Sequence, residues 1–112
     1  MASRPITSRA GARDGNSPGR ELRAEIVATC HELMRLGLVQ GTSGNVSARC
    51  GDGFLITPSG MPYDRLAPDD IVAVGWDGRS TGGRAPSSEW RFHRDLLMAR
   101  PDLEAVVHTH ST

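Results

Sequence analysis

Apolar residues recur at Leu22, Ile26 and Leu33, with a second row at Val27, Cys30 and Met34. Spacings of three, four and seven place both rows on one side of a helix, so the pattern predicts an amphipathic helix starting at Glu21 and stopping at Gly37. Gln40 to Ser47 reads as a glycine-rich turn entering a short strand, and Gly51-Asp52-Gly53 as a hairpin turn. Phe54-Leu55-Ile56-Thr57 and Ile71-Val72-Ala73-Val74 are apolar runs of strand length. Pro58 to Pro62 is a loop, because two prolines and a glycine exclude regular structure, and Trp76 to Arg79 is a turn. Ser87 or Ser88 can N-cap a helix running from Glu89 to about Ala99, with Pro101 beyond its end. Glu104 to His110 then reads as a strand.

This order of elements predicts an α/β domain in which helices cover the faces of a mixed, largely antiparallel sheet. Residues 1–20 stand apart: they are rich in Arg, Ser, Gly and Ala, show no apolar period, and read as a disordered tail. An Arg-rich, acid-poor start is also the composition of a transit peptide, but Gly and Pro here break the amphipathic helix such a peptide needs. With 112 residues, the chain has room for one small domain, assigned to residues 21–112.

Charge changes the picture mainly by exclusion. The net charge is zero, but residues 1–20 carry four arginines against Asp14, and residues 21–112 carry nine arginines against twelve acids, a net of −3. An acidic body lacks the basic face of a nucleic-acid-binding domain, so no nucleic-acid partner is expected. No run of about eighteen apolar residues or signal-peptide core is present, and a soluble cytoplasmic protein with no membrane partner is the expectation. Cys30 and Cys50 read as free buried thiols rather than a disulfide framework. Every basic residue is Arg, and there is no Lys. Schiff-base chemistry through a lysine amine is thereby excluded for these residues, and carbonyl activation falls to a metal or to hydrogen bonds.

Three groups of residues carry candidate chemistry. His108 and His110 lie two apart, so on a strand they share a face and can converge on one ion; two partly exposed strand histidines are the plain alternative. Glu89, at the start of the second helix, is placed as a general base or as a helix-capping acid. His93, four residues on, shares its helical face and reads as a hydrogen-bonded structural histidine, with a supporting partner behind the site residues as the alternative. Gly41 to Asn45, Thr57 to Gly60, and Ser87-Ser88 are loops dense in backbone donors, hydroxyls and one carboxamide, which can grip a phosphate without lysine or can be ordinary turns.

Taken together, the segments Gln40-Gly41-Thr42-Ser43-Gly44-Asn45-Val46-Ser47, Leu55-Ile56-Thr57-Pro58-Ser59-Gly60-Met61-Pro62-Tyr63, Pro86-Ser87-Ser88-Glu89-Trp90-Arg91-Phe92-His93 and Ala105-Val106-Val107-His108-Thr109-His110 resemble the class II aldolase/adducin-like family. Within it, the L-fuculose-1-phosphate aldolases are the most similar branch. The resemblance implies a three-layer α/β/α domain and a zinc-dependent lyase, a cytoplasmic homotetramer in its complete form. Such an enzyme reversibly cleaves a ketose 1-phosphate into dihydroxyacetone phosphate and an aldehyde. By position, His108 and His110 correspond to zinc ligands and Glu89 to the catalytic acid/base. Asn45, Ser59, Gly60, Ser87 and Ser88 correspond to the residues that hold the substrate phosphate.

The family's third zinc histidine and a catalytic tyrosine lie beyond the His-x-His strand and are not matched in these residues. Neither His31 nor His93 occupies that place. The 112-residue chain is therefore expected to be a truncated portion of an aldolase and inactive by itself. A sugar-phosphate epimerase or dehydratase of the same family is the first alternative, although the epimerases typically carry Asp where this chain has Glu89. A non-enzymatic adducin-like interaction module is the second.

Overall fold

The computed structural model describes residues 19–40, 43–81 and 83–109. The tail expected over residues 1–20 lies outside them, except that Gly19 and Arg20 already belong to the start of the first helix. That helix, α1, spans Arg20–Arg35 and buries Leu22, Arg23, Ile26, Val27 and Cys30. It ends as the sequence predicts. Gly37 adopts φ 75°, where a Cβ would be strained. The Gly37 N–H bonds the Met34 carbonyl and the Leu38 N–H the Leu33 carbonyl, the paired bonds of a Schellman turn.

The strands are β1 (Asn45–Cys50), β2 (Gly53–Ile56), β3 (Val72–Gly75), β4 (Ser80–Thr81) and β5 (Ala105–His108). They form one sheet in the order β4-β3-β2-β1-β5, and all four pairings are antiparallel. The parallel component of the expected mixed sheet is thus not found among the described residues. The reason is topological: the second helix, α2 (Trp90–Ala99), carries the chain from one edge of the sheet to the other, and β5 enters beside β1 running opposite to it.

Because side chains alternate along a strand, the sheet feeds two separate cores, one on each face. Val46, Ala48 and Leu55 join Leu22, Ile26, Val27 and Cys30 beneath α1. Phe54, Ile56, Val72, Val74 and Val106 join Leu97 of α2. The helices therefore cover opposite faces. Cys30 and Cys50 are unpaired thiols as expected, Cys30 fully buried and Cys50 half-buried. Burial pushes the Cys30 thiol up to about 12.

Arg23 was not foreseen in the core. It is 8% exposed, and its Nη1 donates to the carbonyls of Ile71 (2.5 Å) and Pro68 (3.4 Å). It thereby ties α1 to the 3-10 turn Pro68–Asp70, which, like the turn Tyr63–Arg65, has no apolar period to announce it. Among the described residues, no helix is long and apolar enough to cross a membrane.

Candidate active site

The site forms where three loops meet the end of the sheet. Thr57, 1% exposed, anchors the first: its N–H donates to the Val46 carbonyl, and its hydroxyl accepts the Val46 N–H. The chain then runs antiparallel to the segment before α2. Ser87 N–H bonds Thr57 O and Ser59 N–H bonds Ala85 O, each at 2.9 Å, with a bridge between Pro58 and Pro86. Two segments far apart in sequence are thus stitched side by side. Gly44 closes the third side at φ 88°; a Cβ there would lie 2.8 Å from Val39 Cγ1 and 3.2 Å from the His108 carbonyl. Only glycine lets the turn before β1 pass so close to both.

A cavity of about 290 Å³ lies between these loops. Asn45, Ser59, Gly60, Ser87 and Ser88 all line it, together with Ser43, Gly44 and Glu89. The five residues singled out as phosphate contacts are therefore brought to one place, with the candidate acid/base on its wall. Gly41 and Thr42 of the glycine-rich turn lie outside the described residues.

Glu89 is the N-cap residue of α2 rather than a residue of its first turn. The expected cap at Ser87 or Ser88 is shifted because the Ser87 backbone is held in the bridge to Thr57; its hydroxyl still accepts the Glu89 N–H at 3.1 Å. The Glu89 carboxylate makes no capping hydrogen bond to its own helix. Its Oε1 instead accepts from Asn45 Nδ2 at 3.2 Å and from His108 Nδ1 at 2.7 Å. Glu89 and His108 are each about one-third exposed, Glu89 35% and His108 33% by side chain. A plain capping acid would face its own helix, so this arrangement favours the chemical role.

Behind this pair stands a buried relay. His93 and Ser47 are both 0% exposed and Asn45 6%. His93 Nε2 meets Asn45 Oδ1 at 2.5 Å and its Nδ1 meets Ser47 Oγ at 2.6 Å. The carboxylate of Glu89 can only accept, so Asn45 must turn its Nδ2 toward it and its Oδ1 toward His93. That requires a proton on His93 Nε2. Burial, chiefly, with help from nearby His108 and against the pull of Glu89, lowers the His93 pKa to about 4. The ring is neutral at pH 7, and Nδ1 accepts from the Ser47 hydroxyl. His93 is thus the hydrogen-bonded structural histidine expected. Ser47 is the member of this chain that the sequence reading missed; its position two residues from Asn45 on a strand was the available signal.

A Ser–His–Asn set suggests nucleophilic catalysis, but Ser47 is fully buried and out of reach of any substrate. At the metal end, β5 stops at His108 and His110 lies outside the described residues. No group of three or more His, Cys, Asp or Glu side chains poised for a metal occurs among the described residues. The donor chemistry of the two that do meet suits a divalent ion. Where His108 gives Nδ1–H to Glu89, Nε2 is the nitrogen left to face an ion, and the carboxylate orients the ring as an outer partner of a ligand does.

The chain as a whole is similar to known proteins. The L-fuculose phosphate aldolase of Escherichia coli K12 is 52% identical over 91 residues, covering 81% of this chain and 42% of that enzyme. The 5-methylthioribulose-1-phosphate/5-deoxyribulose-1-phosphate aldolase of Rhodospirillum rubrum is 52% identical over 90 residues, covering 80% and 41%. A solved structure of an L-fuculose 1-phosphate aldolase superposes with a TM-score of 0.78 at 33% identity, covering 82% of this chain and 45% of that one. The chain thus spans about two fifths of the length of the curated relatives it matches. The profile of the class II aldolase and adducin N-terminal domain matches residues 24–112, and with these relatives it establishes that the chain belongs to that family.

Proposed function

We propose that this chain supplies the phosphate pocket, the acid/base and part of the metal site of a zinc-dependent aldolase. The reaction is reversible cleavage of a ketose 1-phosphate of the L-fuculose 1-phosphate type to dihydroxyacetone phosphate and an aldehyde. The observation that carries the reading is the cavity itself: Asn45, Ser59, Gly60, Ser87 and Ser88 surround it, while Glu89 on its wall is hydrogen-bonded to His108. Serine hydroxyls, backbone amides at the start of α2 and the Asn45 carboxamide hold the phosphate dianion. Held there, the phosphate converts binding energy into orientation of the carbon to be deprotonated. Glu89 accepts and returns that proton. A zinc ion held by His108 and His110 would supply Lewis-acid stabilisation of the negative charge developing on the ketose oxygens.

The complete enzyme is a cytoplasmic homotetramer with a three-layer α/β/α domain in this reading. Support comes from two relatives of equal identity that are both named as aldolases of sugar phosphates yet differ in the sugar. What they share is the phosphorylated half, and that is the half whose contacts this chain carries.

The test is release of dihydroxyacetone phosphate from L-fuculose 1-phosphate by the purified complete enzyme, before and after treatment with a chelator; the 112-residue chain by itself is expected to give none. Turnover that disappears on chelation and returns with Zn2+ is the expected result. Epimerisation or dehydration of a sugar phosphate with no cleavage would assign the scaffold to a sister enzyme instead.

A further inference from the structure

We propose that His93 is a positioning residue that acts through Asn45: it holds the Asn45 carboxamide with Nδ2 facing the cavity, and so makes that amide a fixed donor to an anionic ligand. The inference rests on the sugar-phosphate reading of the cavity and adds a residue outside it. His93 lines no part of the cavity, and its ring is completely buried.

The argument follows from which groups can donate. An unrestrained Asn side chain can present either its oxygen or its nitrogen to a ligand, since the two ends have the same shape. An oxygen facing a phosphate repels it; a nitrogen attracts it. At Asn45 one end is occupied by the 2.5 Å contact to His93 Nε2 and the other lies 3.2 Å from Glu89 Oε1. Ser47 Oγ, at 2.6 Å from Nδ1, can donate or accept, so it satisfies either tautomer; the acceptor-only Glu89 carboxylate, by taking Asn45 Nδ2, selects the one with the proton on His93 Nε2. With its N–H on Nε2, His93 can donate to the oxygen end of Asn45 and cannot pair with the nitrogen end. Glu89 and His93 therefore hold the carboxamide from its two ends, the Ser47 hydroxyl donates to the remaining ring nitrogen, and the carboxamide presents donors to the cavity. One Nδ2 proton serves Glu89 and the second is available to the ligand, so the same amide touches both the anion pocket and the acid/base.

The backbone makes this relay stiff. Asn45 and Ser47 sit two apart on β1, paired with His108 and Val106 of β5, so their spacing is that of the sheet. Two residues further on, Arg49 grips the other end of α2, its Nη2 donating to the carbonyls of Leu97 (2.7 Å) and Arg100 (3.1 Å). The helix that carries His93 is thus held at both ends by alternate residues of one strand.

The test is binding of inorganic phosphate and of dihydroxyacetone phosphate to the purified protein and its variants, by calorimetry. His93→Leu removes the relay and should weaken phosphate binding by about tenfold or more, the loss of an oriented hydrogen bond to a charged group. His93→Gln keeps an N–H donor near the Nε2 position and should stay within about threefold of wild type. Ser47→Ala removes only the hydroxyl that supports the His93 ring at Nδ1, loosens the ring's hold on Asn45, and should cost about threefold; it carries the test if His93→Leu does not fold. In an Asn45→Ala background the further change His93→Leu should cost almost nothing in phosphate affinity, because the residue it acts through is gone.

Wild-type phosphate affinity in both His93→Leu and Ser47→Ala would overturn the inference. So would an equal loss from His93→Leu with and without Asn45, which would mark a general structural role. A wild-type protein that binds neither phosphate nor dihydroxyacetone phosphate would overturn the sugar-phosphate reading itself, and the inference with it. The two failures are told apart by the wild-type titration.

Discussion

The two faces of the sheet hold their helices by different means. Beneath α1 the contact is apolar, with Val46, Ala48 and Leu55 against Leu22, Ile26, Val27 and Cys30. Beneath α2 an apolar patch around Leu97 is joined by a polar stripe, Asn45, Ser47 and Arg49, that grips Glu89, His93 and the carbonyls at the helix end. Both stripes come from the same strand, β1, one residue out of phase. Apolar contacts are non-directional and tolerate small shifts, whereas hydrogen bonds specify angles. The α1 face is therefore suited to stability and the α2 face to placing atoms, which is where the cavity lies.

Substitutions that separate these roles test the comparison. The largest effect is expected on the α2 face from Glu89→Gln, which keeps the shape but removes the base. In the complete enzyme of the proposed reading, cleavage activity should fall by about 10²–10⁴-fold, while the denaturation midpoint barely moves; a variant that remained active would remove Glu89 from the chemistry. On the α1 face, Ile26→Ala empties a fully buried site. It should cost about 2–5 kcal/mol in denaturant unfolding and leave the phosphate affinity of the remaining folded protein unchanged.

Acid sharpens the contrast further. The His93 pKa is lowered in the folded protein to about 4, against about 6.5 when unfolded, so the unfolded chain binds more protons between those values. The contribution is fully present above about pH 6.5 and is lost as the pH falls toward 4, for roughly 3 kcal/mol in all. His93→Gln should flatten that part of the stability profile, and an unchanged profile would assign it to other groups. The smallest effect is expected from Arg49→Met, which keeps an unbranched apolar stem but removes the guanidinium that lies over Trp76 and bonds to Leu97, Arg100 and Leu103. About 1–3 kcal/mol should be lost, with fraying at the C-terminal end of α2 visible in hydrogen exchange.

These two faces also differ in how far they could be read beforehand. The α1 face was legible because its signal is a period: Leu22, Ile26 and Cys30 recur at helical spacing, and Gly37 marks the stop where the Schellman turn forms. Ser80-Thr81 was not recognised as a strand, because two exposed residues carry no alternation; only pairing with Ala73 and Val74 makes them one. Nothing in the helical period marks Arg23 for burial, and the carbonyls of Ile71 and Pro68 that let it be buried are more than forty residues away. The candidate site was legible residue by residue through Glu89, His108 and the Ser/Gly loops, since those residue types have few alternative uses together. His93 was recognised as structural, but not as the partner of Asn45.

By itself, then, the sequence determined the local elements, the chemical types available and the family to which they belong. Periodicity, turn residues and the lack of lysine are all properties of neighbours along the chain. Only the tertiary structure decided that β5 lies beside β1, that Thr57 and Ser87 are bonded, and that Asn45 stands between His93 and Glu89. Those are contacts between residues thirty to fifty positions apart or across sheet neighbours. They depend on the one arrangement of helices and strands that buries both apolar faces while leaving no member of the polar relay without its partner.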